Sequence, residues 1–268
     1  MSEGPDACCA EASERLLKAH PSISDTQGVE KLLGAGVLAM VLACTVVGVR
    51  MLWLWARTRK SPELLLGAAF VLLGAVGYPL AIVARGGSAG APSPNLLTIA
   101  LGAQNLACVC MYAATWQTFH GGSTKLGRAL AVVAAAFALS LAASAGSGTP
   151  DSGPWYYLGF VLRAGAFGWA AWESWRYHEL MRLRLGLGLV DPVVVDRFRL
   201  WTISTIGIVL GFAVFLAGRL ATDNVGASPW VLATTSLVSL VSATAMWLAF
   251  APPAAYLHRV RARAASVG

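Results

Sequence analysis

The stretch YYLGFVLRAGAFGWAAWESW, residues 156–175, is a run of apolar and aromatic residues with Arg163 near its middle. About 20 such residues are enough to cross the hydrocarbon core of a bilayer as a helix. An unpaired guanidinium inside that core costs roughly 3 kcal/mol on insertion scales. The stretch therefore predicts a membrane-spanning helix whose arginine meets a polar partner on another helix.

The composition of the whole chain agrees with a membrane location. Of its 268 residues, 57% are hydrophobic and only 12% are charged, against roughly 25% charged residues in a soluble domain. Mean hydropathy is +0.64. The net charge of +7 comes from basic residues clustered between apolar runs, where they set the orientation of spans. We therefore expect a lipid bilayer as the surroundings and no nucleic acid as a partner.

Seven apolar runs of suitable length predict an all-α, polytopic membrane protein with a seven transmembrane helix bundle. A polar tail of residues 1–30 precedes the transmembrane domain of residues 31–252, and a short basic tail of residues 253–268 follows it. The first 30 residues lack the pattern of a signal peptide, so we expect the first span to direct insertion. The seven spans lie at about 32–54, 63–84, 96–118, 127–146, 155–175, 199–220 and 229–251.

Lysine and arginine concentrate in alternate connections and in the C-terminal tail, which the positive-inside rule places in the cytoplasm. The N-terminus is then outside the cell and the C-terminus inside it. The alanine-rich composition and compact connections suggest a bacterial inner membrane. The residues that set this orientation are Arg57, Arg59, Lys60, Lys125, Arg128, Arg176, Arg182, Arg184, Arg197, Arg199, Arg259, Arg261 and Arg263.

Polar side chains of three spans share one depth on the outer side. Arg163 lies roughly 12 Å along span 5 from its outer end, at 1.5 Å per residue. The other members of this layer are Gln104 and Asn105 on span 3 and a stripe of Thr235, Ser239 and Ser242 on span 7. If these spans face one another, they form an outward-facing pocket with a positive charge, suited to a small anionic molecule or a lipid headgroup.

A structural alternative stays open for the same residues. Arg163 can hydrogen-bond to Asn105, Gln104 and backbone carbonyls, and so hold spans together without any ligand. Glu173 lies ten positions further along span 5, about 15 Å away on a different face. That distance excludes it as the direct partner of the arginine.

A second polar layer lies at the inner boundary, where three histidines end spans 3, 5 and 7 near a glutamate. Histidine with carboxylates is a metal-ligand set, but no pair here has the i, i+3 or i+4 spacing of a metal motif. We therefore expect no metal site and no enzyme, and expect Glu173 and Glu179 to pair with the arginines three residues further on. The candidates are His120, His178, His258 and Glu173.

Three smaller patterns leave their interpretation open. Gly207 and Gly211 form a G-x-x-x-G pattern on span 6, which favours helix packing within the bundle or dimerisation. Cys8 and Cys9 are adjacent in the N-terminal tail, and their role stays open. The connection of residues 176–199 mixes basic and apolar residues, which favours contact with anionic lipid or docking of a cytoplasmic partner.

Seven spans with the N-terminus outside resemble, in outline, the rhodopsins and the heptahelical receptors. A retinal protein needs a lysine within its last span, whereas the lysines here are Lys18, Lys31, Lys60 and Lys125. We therefore expect no retinal Schiff base and no cofactor.

The pattern as a whole favours a stand-alone sensor or receptor-like protein. It would bind a small anionic or lipid ligand between spans 3, 5 and 7 and report to a cytoplasmic signalling partner. The alternatives are a small-solute transporter, or a membrane assembly or structural protein without a ligand.

Overall fold

The computed structural model describes residues 23–85, 93–121, 123–148, 150–221 and 228–265. Within helices, the side chains of residues 23–34, 229 and 263–265 lie outside this description. Cys8 and Cys9 also fall outside the described residues.

The described residues form eight helices and no strand, which confirms the all-α prediction. Several bounds depart from it: α1 begins within the tail of residues 1–30, α3 begins and ends slightly beyond span 3, α5 continues past residue 175, and α6 begins before residue 199. The basic tail also contains a helix, α8. The helices are α1 (Ile23–Thr58), α2 (Ser61–Ala84), α3 (Pro94–His120), α4 (Thr124–Gly146), α5 (Gly153–Gly186), α6 (Pro192–Ala221), α7 (Pro229–Phe250) and α8 (Ala254–Ala265).

Six of these helices are long and apolar enough to cross a membrane, namely α1, α2, α3, α4, α6 and α7. The fold is therefore that of a multi-pass membrane protein. Helix α5 has the length but not the same apolar content, because Arg163, Glu173 and its tryptophans and tyrosines lower its mean hydropathy.

Local sequence explains where several helices begin and end. Proline stands at the first or second position of α2, α3, α5 and α7, where its missing N–H costs no helical hydrogen bond. At the start of α3, the Ser93 hydroxyl accepts a hydrogen bond from the Leu96 N–H at 3.4 Å. At its end, Gly121 adopts a left-handed conformation with φ of 57°, which glycine tolerates best.

A π-helical segment, Leu72–Gly77, interrupts α2 shortly before Pro79. Proline lacks an N–H and its ring clashes with the carbonyl four residues earlier, so a regular α-helix is strained there. A side chain placed on Gly77 would lie 2.7 Å from Cγ of Gln104. The glycine therefore allows α2 and α3 to approach closely beside the π-helical segment.

Six helices pack in a ring in the order α1, α2, α3, α5, α6 and α7, and α7 packs back on α1. Helix α4 lies outside this ring, against α3 and α5. The centre of the bundle is filled by one apolar cluster, which includes Val47, Phe70, Met111, Phe167 and Met246. The ring therefore encloses packed side chains.

The G-x-x-x-G pattern of α6 serves packing within the bundle at its first glycine. A side chain on Gly207 would overlap the Ser242 hydroxyl of α7, whereas one on Gly211 would meet nothing within 4 Å. Ser204 Oγ also donates a hydrogen bond to the Ser242 carbonyl at 3.0 Å. Gly207 thus sets the close approach of α6 and α7.

Candidate functional site

Arg163 is buried in the N-terminal half of α5, with 5% of its surface exposed. Its Nη1 donates a hydrogen bond to Oδ1 of Asn105 on α3 at 2.9 Å. The guanidinium carbon also lies 5.7 Å from the centre of the Tyr156 ring, within the range of a cation–π contact. The structure therefore brings together two of the polar residues predicted for this layer, Arg163 and Asn105.

Gln104, the neighbour of Asn105, takes a different direction. Its Nε2 donates a hydrogen bond to the Gly77 carbonyl of the π-helical segment at 3.3 Å. Gln104 therefore belongs to the contact between α2 and α3, and the structure gives it no hydrogen bond to Arg163.

The predicted stripe on span 7 does not reach Arg163, because α7 packs between α1 and α6. Ser242 Oγ donates to the Val238 carbonyl of its own helix at 2.8 Å. Thr235 Oγ1 is buried and, within the described residues, has no hydrogen-bond partner, while Ser239 is half-buried. The expected juxtaposition of span 7 with spans 3 and 5 is therefore wrong, although spans 3 and 5 are neighbours, because equal depth does not determine which helices are neighbours.

Helix α4 takes the place beside Arg163 that was expected for span 7. A cavity of about 10 Å³ lies between α3, α4 and α5, and Asn105, Ser140, Tyr156 and Arg163 contribute to its lining. Such a volume holds about one water molecule. The geometry thus favours the structural interpretation, in which Arg163 joins α5 to α3 without a ligand.

Near the C-terminal end of α3, the buried carboxylate of Glu173 on α5 meets three donors. The His120 Nε2 lies 3.1 Å from its Oε1, and Trp169 Nε1 donates to the same oxygen at 3.3 Å. Arg176 Nη1 lies 3.5 Å from Oε2. The His120 ring also stacks on the Trp169 ring at 5.8 Å, so this cluster joins the end of α3 to α5.

The other two histidines lie elsewhere. His178 is buried, and its Nδ1 donates to the Val195 carbonyl of α6 at 3.0 Å. His258 is exposed on α8. No three His, Cys, Asp or Glu side chains in the described part of the chain form a group that could hold a metal ion. The predicted ion pairs of Glu173 with Arg176 and of Glu179 with Arg182 are both present.

A second cavity, larger than the one beside Arg163, is a groove that the sequence pattern did not single out. It measures about 520 Å³ and lies between the C-terminal end of α5, the beginning of α6 and α8. We call it the basic groove. Apolar lining comes from Leu185, Pro192, Val195 and Val260, and polar lining from His178, Arg182, Asp196, Arg199, Tyr256 and Arg259.

A hydrogen-bonded chain holds one side of the basic groove. The Tyr256 hydroxyl of α8 donates to Asp196 Oδ2 on α6, and Arg199 Nη2 donates to Asp196 Oδ1 at 2.6 Å. Partial burial, together with the hydrogen bond to Asp196, raises the pKa of Tyr256. The hydroxyl therefore stays protonated at neutral pH and keeps α8 attached to α6.

The arginines of the basic groove differ in their pairing. Arg182 lies 3.3 Å from Glu179, and Arg199 pairs with Asp196. Arg259 has no ion pair within the described residues. The sequence pattern used these arginines as orientation signals, paired Arg182 with Glu179 and assigned the connection of residues 176–199 to anionic lipid or a partner. Their convergence in one groove depends on the end of α5 and on α8, which the apolar pattern does not define.

Comparisons of the chain with protein-family models, with curated proteins and with solved structures gave no match. The fold and the two polar clusters define a multi-pass helical membrane protein, and its function has to be argued from its own geometry.

Proposed function

We propose that α5 is a seventh membrane span, so that the N-terminus is outside and the C-terminus is in the cytoplasm of a bacterial inner membrane. Helix α5 has 34 residues, or about 51 Å, and packs between α3 and α6 in the ring. Arg163, the residue of α5 that would cost the most free energy in hydrocarbon, is buried against Asn105 and Tyr156 instead of facing lipid. The basic connections on one side support the orientation.

Within that topology, the chain acts as a receptor-like protein that binds an anionic ligand in the basic groove. The observation that carries this proposal is the lining of a 520 Å³ cavity by three arginines and a single aspartate. Arginine forms paired hydrogen bonds with carboxylate and phosphate groups. The site proposed here replaces the pocket expected between spans 3, 5 and 7.

The position of the groove suggests how binding would be reported. Helices α5 and α6 line it with their cytoplasmic ends and continue into the bundle. A ligand that bridges Arg182 and Arg259 would draw α8 towards α5 and change the surface offered to a cytoplasmic partner. We propose a binding role rather than a catalytic one.

Thermal unfolding of the detergent-purified protein tests this proposal. Phosphate, sulfate and citrate, each at matched ionic strength, are expected to raise the melting temperature, because a ligand that binds only the folded state stabilises it. The double variant Arg182→Gln/Arg259→Gln should lose this response, whereas Arg184→Gln, an exposed arginine of α5 outside the groove, should keep it. Equal responses in all three proteins would refute the proposal.

A second candidate, a structural or assembly protein without a ligand, is favoured by the Arg163 layer. There the arginine is bonded to Asn105 and the adjoining cavity holds about one water. This candidate requires that no anion stabilises the wild type more than the double variant.

A further inference from the structure

We propose that the basic groove takes the phosphate group of an anionic lipid headgroup from the cytoplasmic leaflet. This inference rests on the proposed function and names its ligand class. Phosphate is the shared chemistry of a lipid headgroup and of soluble phosphate compounds, and three features of the groove favour the lipid.

The first feature is the position of the groove along α5. Trp172 and Trp175 are exposed by 61% and 48%, as expected for tryptophans at a membrane interface. Arg182 stands seven residues beyond Trp175, about 10 Å along the helix. A long arginine side chain that points back along the helix covers part of that distance towards the headgroup layer.

The second feature is a set of exposed leucines at the C-terminal end of α5 and directly after it, the helix end that also lines the groove. Leu183, Leu187 and Leu189 are exposed by 72%, 73% and 70%, and Leu185 between them lines the groove. Several large apolar side chains in water at one place mark an interaction surface. Beside a basic groove at the end of a membrane span, that surface fits the boundary between headgroups and acyl chains.

The third feature is the chemistry of the lining. Both arginine side chains and apolar side chains from α5, α6 and α8 line the groove. A ligand in it therefore contacts charged groups and hydrocarbon at the same time. Arg259 has no ion pair within the described residues and is free to contact a phosphate first. Arg182 pairs with Glu179 at the surface, where the two side chains are 61% and 43% exposed, and such a pair is weak and exchanges readily. Arg199 stays bonded to Asp196, whose side chain is only 13% exposed.

The experiment compares ligands that separate the two sources of phosphate. Purified protein in a neutral detergent is titrated with dioctanoyl phosphatidylglycerol, glycerol phosphate, inorganic phosphate and dioctanoyl phosphatidylcholine, and native mass spectrometry measures the bound fraction. We expect phosphatidylglycerol to bind, the two soluble compounds to bind at least tenfold more weakly, and phosphatidylcholine to bind no more than they do.

Variants locate the binding. Arg259→Gln should weaken phosphatidylglycerol binding about fivefold and Arg182→Gln/Arg259→Gln more than tenfold, as expected for basic residues at a lipid surface. Arg184→Gln should change it less than twofold. Arg259→Lys, which keeps the charge but loses the fork of donors, should fall between the wild type and Arg259→Gln. Thermal unfolding checks that each variant is folded.

Two results would overturn the inference in distinguishable ways. If glycerol phosphate or inorganic phosphate binds as tightly as phosphatidylglycerol and depends on Arg259, the groove takes a soluble anion; the proposed function then stands and the lipid fails. If none of the phosphate compounds distinguishes the wild type from the double variant, both proposals fail. Equal losses for Arg184→Gln and Arg259→Gln would also contradict a defined site.

Discussion

Arg163 shows how one buried charge is accommodated without a carboxylate. Its guanidinium has the Asn105 amide oxygen as a neutral acceptor and the face of the Tyr156 ring as a further contact. A neutral acceptor compensates less of the cost of burial than an anion would. The two side chains therefore depend on each other, since either one alone leaves polar atoms unpaired between helices.

This dependence gives the first prediction. Asn105→Leu should lower the free energy of unfolding by about 2 kcal/mol, because it leaves a buried guanidinium without its acceptor. The double variant Arg163→Leu/Asn105→Leu should lose about 1 kcal/mol less than the sum of the two single variants. Equilibrium unfolding in mixed detergent micelles measures the four proteins, and strict additivity would show that the bond contributes no coupling.

Glu173 and Glu179 provide a matched pair for the second prediction. Both pair with an arginine three residues further on, but their side chains are 9% and 43% exposed. Glu173→Gln should cost about 1 kcal/mol, since charge-assisted bonds from His120 and Arg176 are lost. Glu179→Gln should stay within about 0.5 kcal/mol. Thermal unfolding measures the loss of stability in both variants. Similar losses would show that burial of the Glu173 carboxylate does not make its interactions stronger than those of Glu179.

Residue-level expectations succeeded where the sequence itself determines the geometry. The i+3 ion pairs of α5 follow from helical spacing, and the contact of Arg163 with Asn105 follows from equal depth on adjacent helices. Thr235, Ser239 and Ser242 have the same depth, yet α7 lies on the other side of the bundle. The sequence of each span determines the depth of its polar side chains. Which spans are adjacent depends on the packing of all of them together. The use of any of these residues by a ligand remains a prediction.

Among the elements, the contact of α6 with α7 depends on the missing side chain of Gly207. Gly207 faces the Ser242 hydroxyl, and Ser204 bonds to the Ser242 carbonyl beside it. Small residues at such a contact let two backbones approach closely, which is the main source of helix association in lipid.

Gly207 and Gly211 lie one turn apart and provide the third prediction. Gly207→Ala should lower stability by about 1–3 kcal/mol through overpacking. Gly211→Ala has open space around it and should be neutral or stabilising by up to about 1 kcal/mol, since alanine favours the helix. Gly207→Ala/Ser242→Ala should recover most of the loss. Thermal unfolding measures all three variants, and an equal response of the two glycines would refute the assigned contact.

The lengths of the elements show which boundaries an apolar pattern can predict. The predicted ends of spans 2 and 4 agree closely with α2 and α4, because there the helix and the apolar run end together. Helix α5 ends well after its apolar run, and α6 begins before its apolar run. Helix α8 has hardly any apolar run of its own. Polar turns beyond the bilayer have no hydrophobic signal, and for this reason the basic groove was not foreseen.

For the whole molecule, the number of spans decides where the termini lie. Six spans would place both ends of the bundle on one side of the membrane, whereas seven place them on opposite sides. Helix α5 is the deciding element, since its apolar content is below that of the other six, while its place in the ring lies between two helices that do qualify. A helix at that position has membrane-spanning neighbours along its length, which shield Arg163 and Glu173 from lipid.

The last prediction tests this topology at the two ends of α5. Single cysteines are introduced as Ser147→Cys before α5 and as Leu187→Cys after it, in a chain whose native cysteines are replaced by alanine. In intact cells, a membrane-impermeant maleimide should label position 147, and it should label position 187 only after the cells are permeabilised. Both positions are exposed in the fold, so other parts of the chain do not cover them. If both are labelled in intact cells, α5 does not cross the bilayer, and the basic groove cannot face the cytoplasmic leaflet. Labelling of position 187 alone in intact cells would invert the orientation and place the groove outside, where the positive-inside rule does not expect a cluster of arginines.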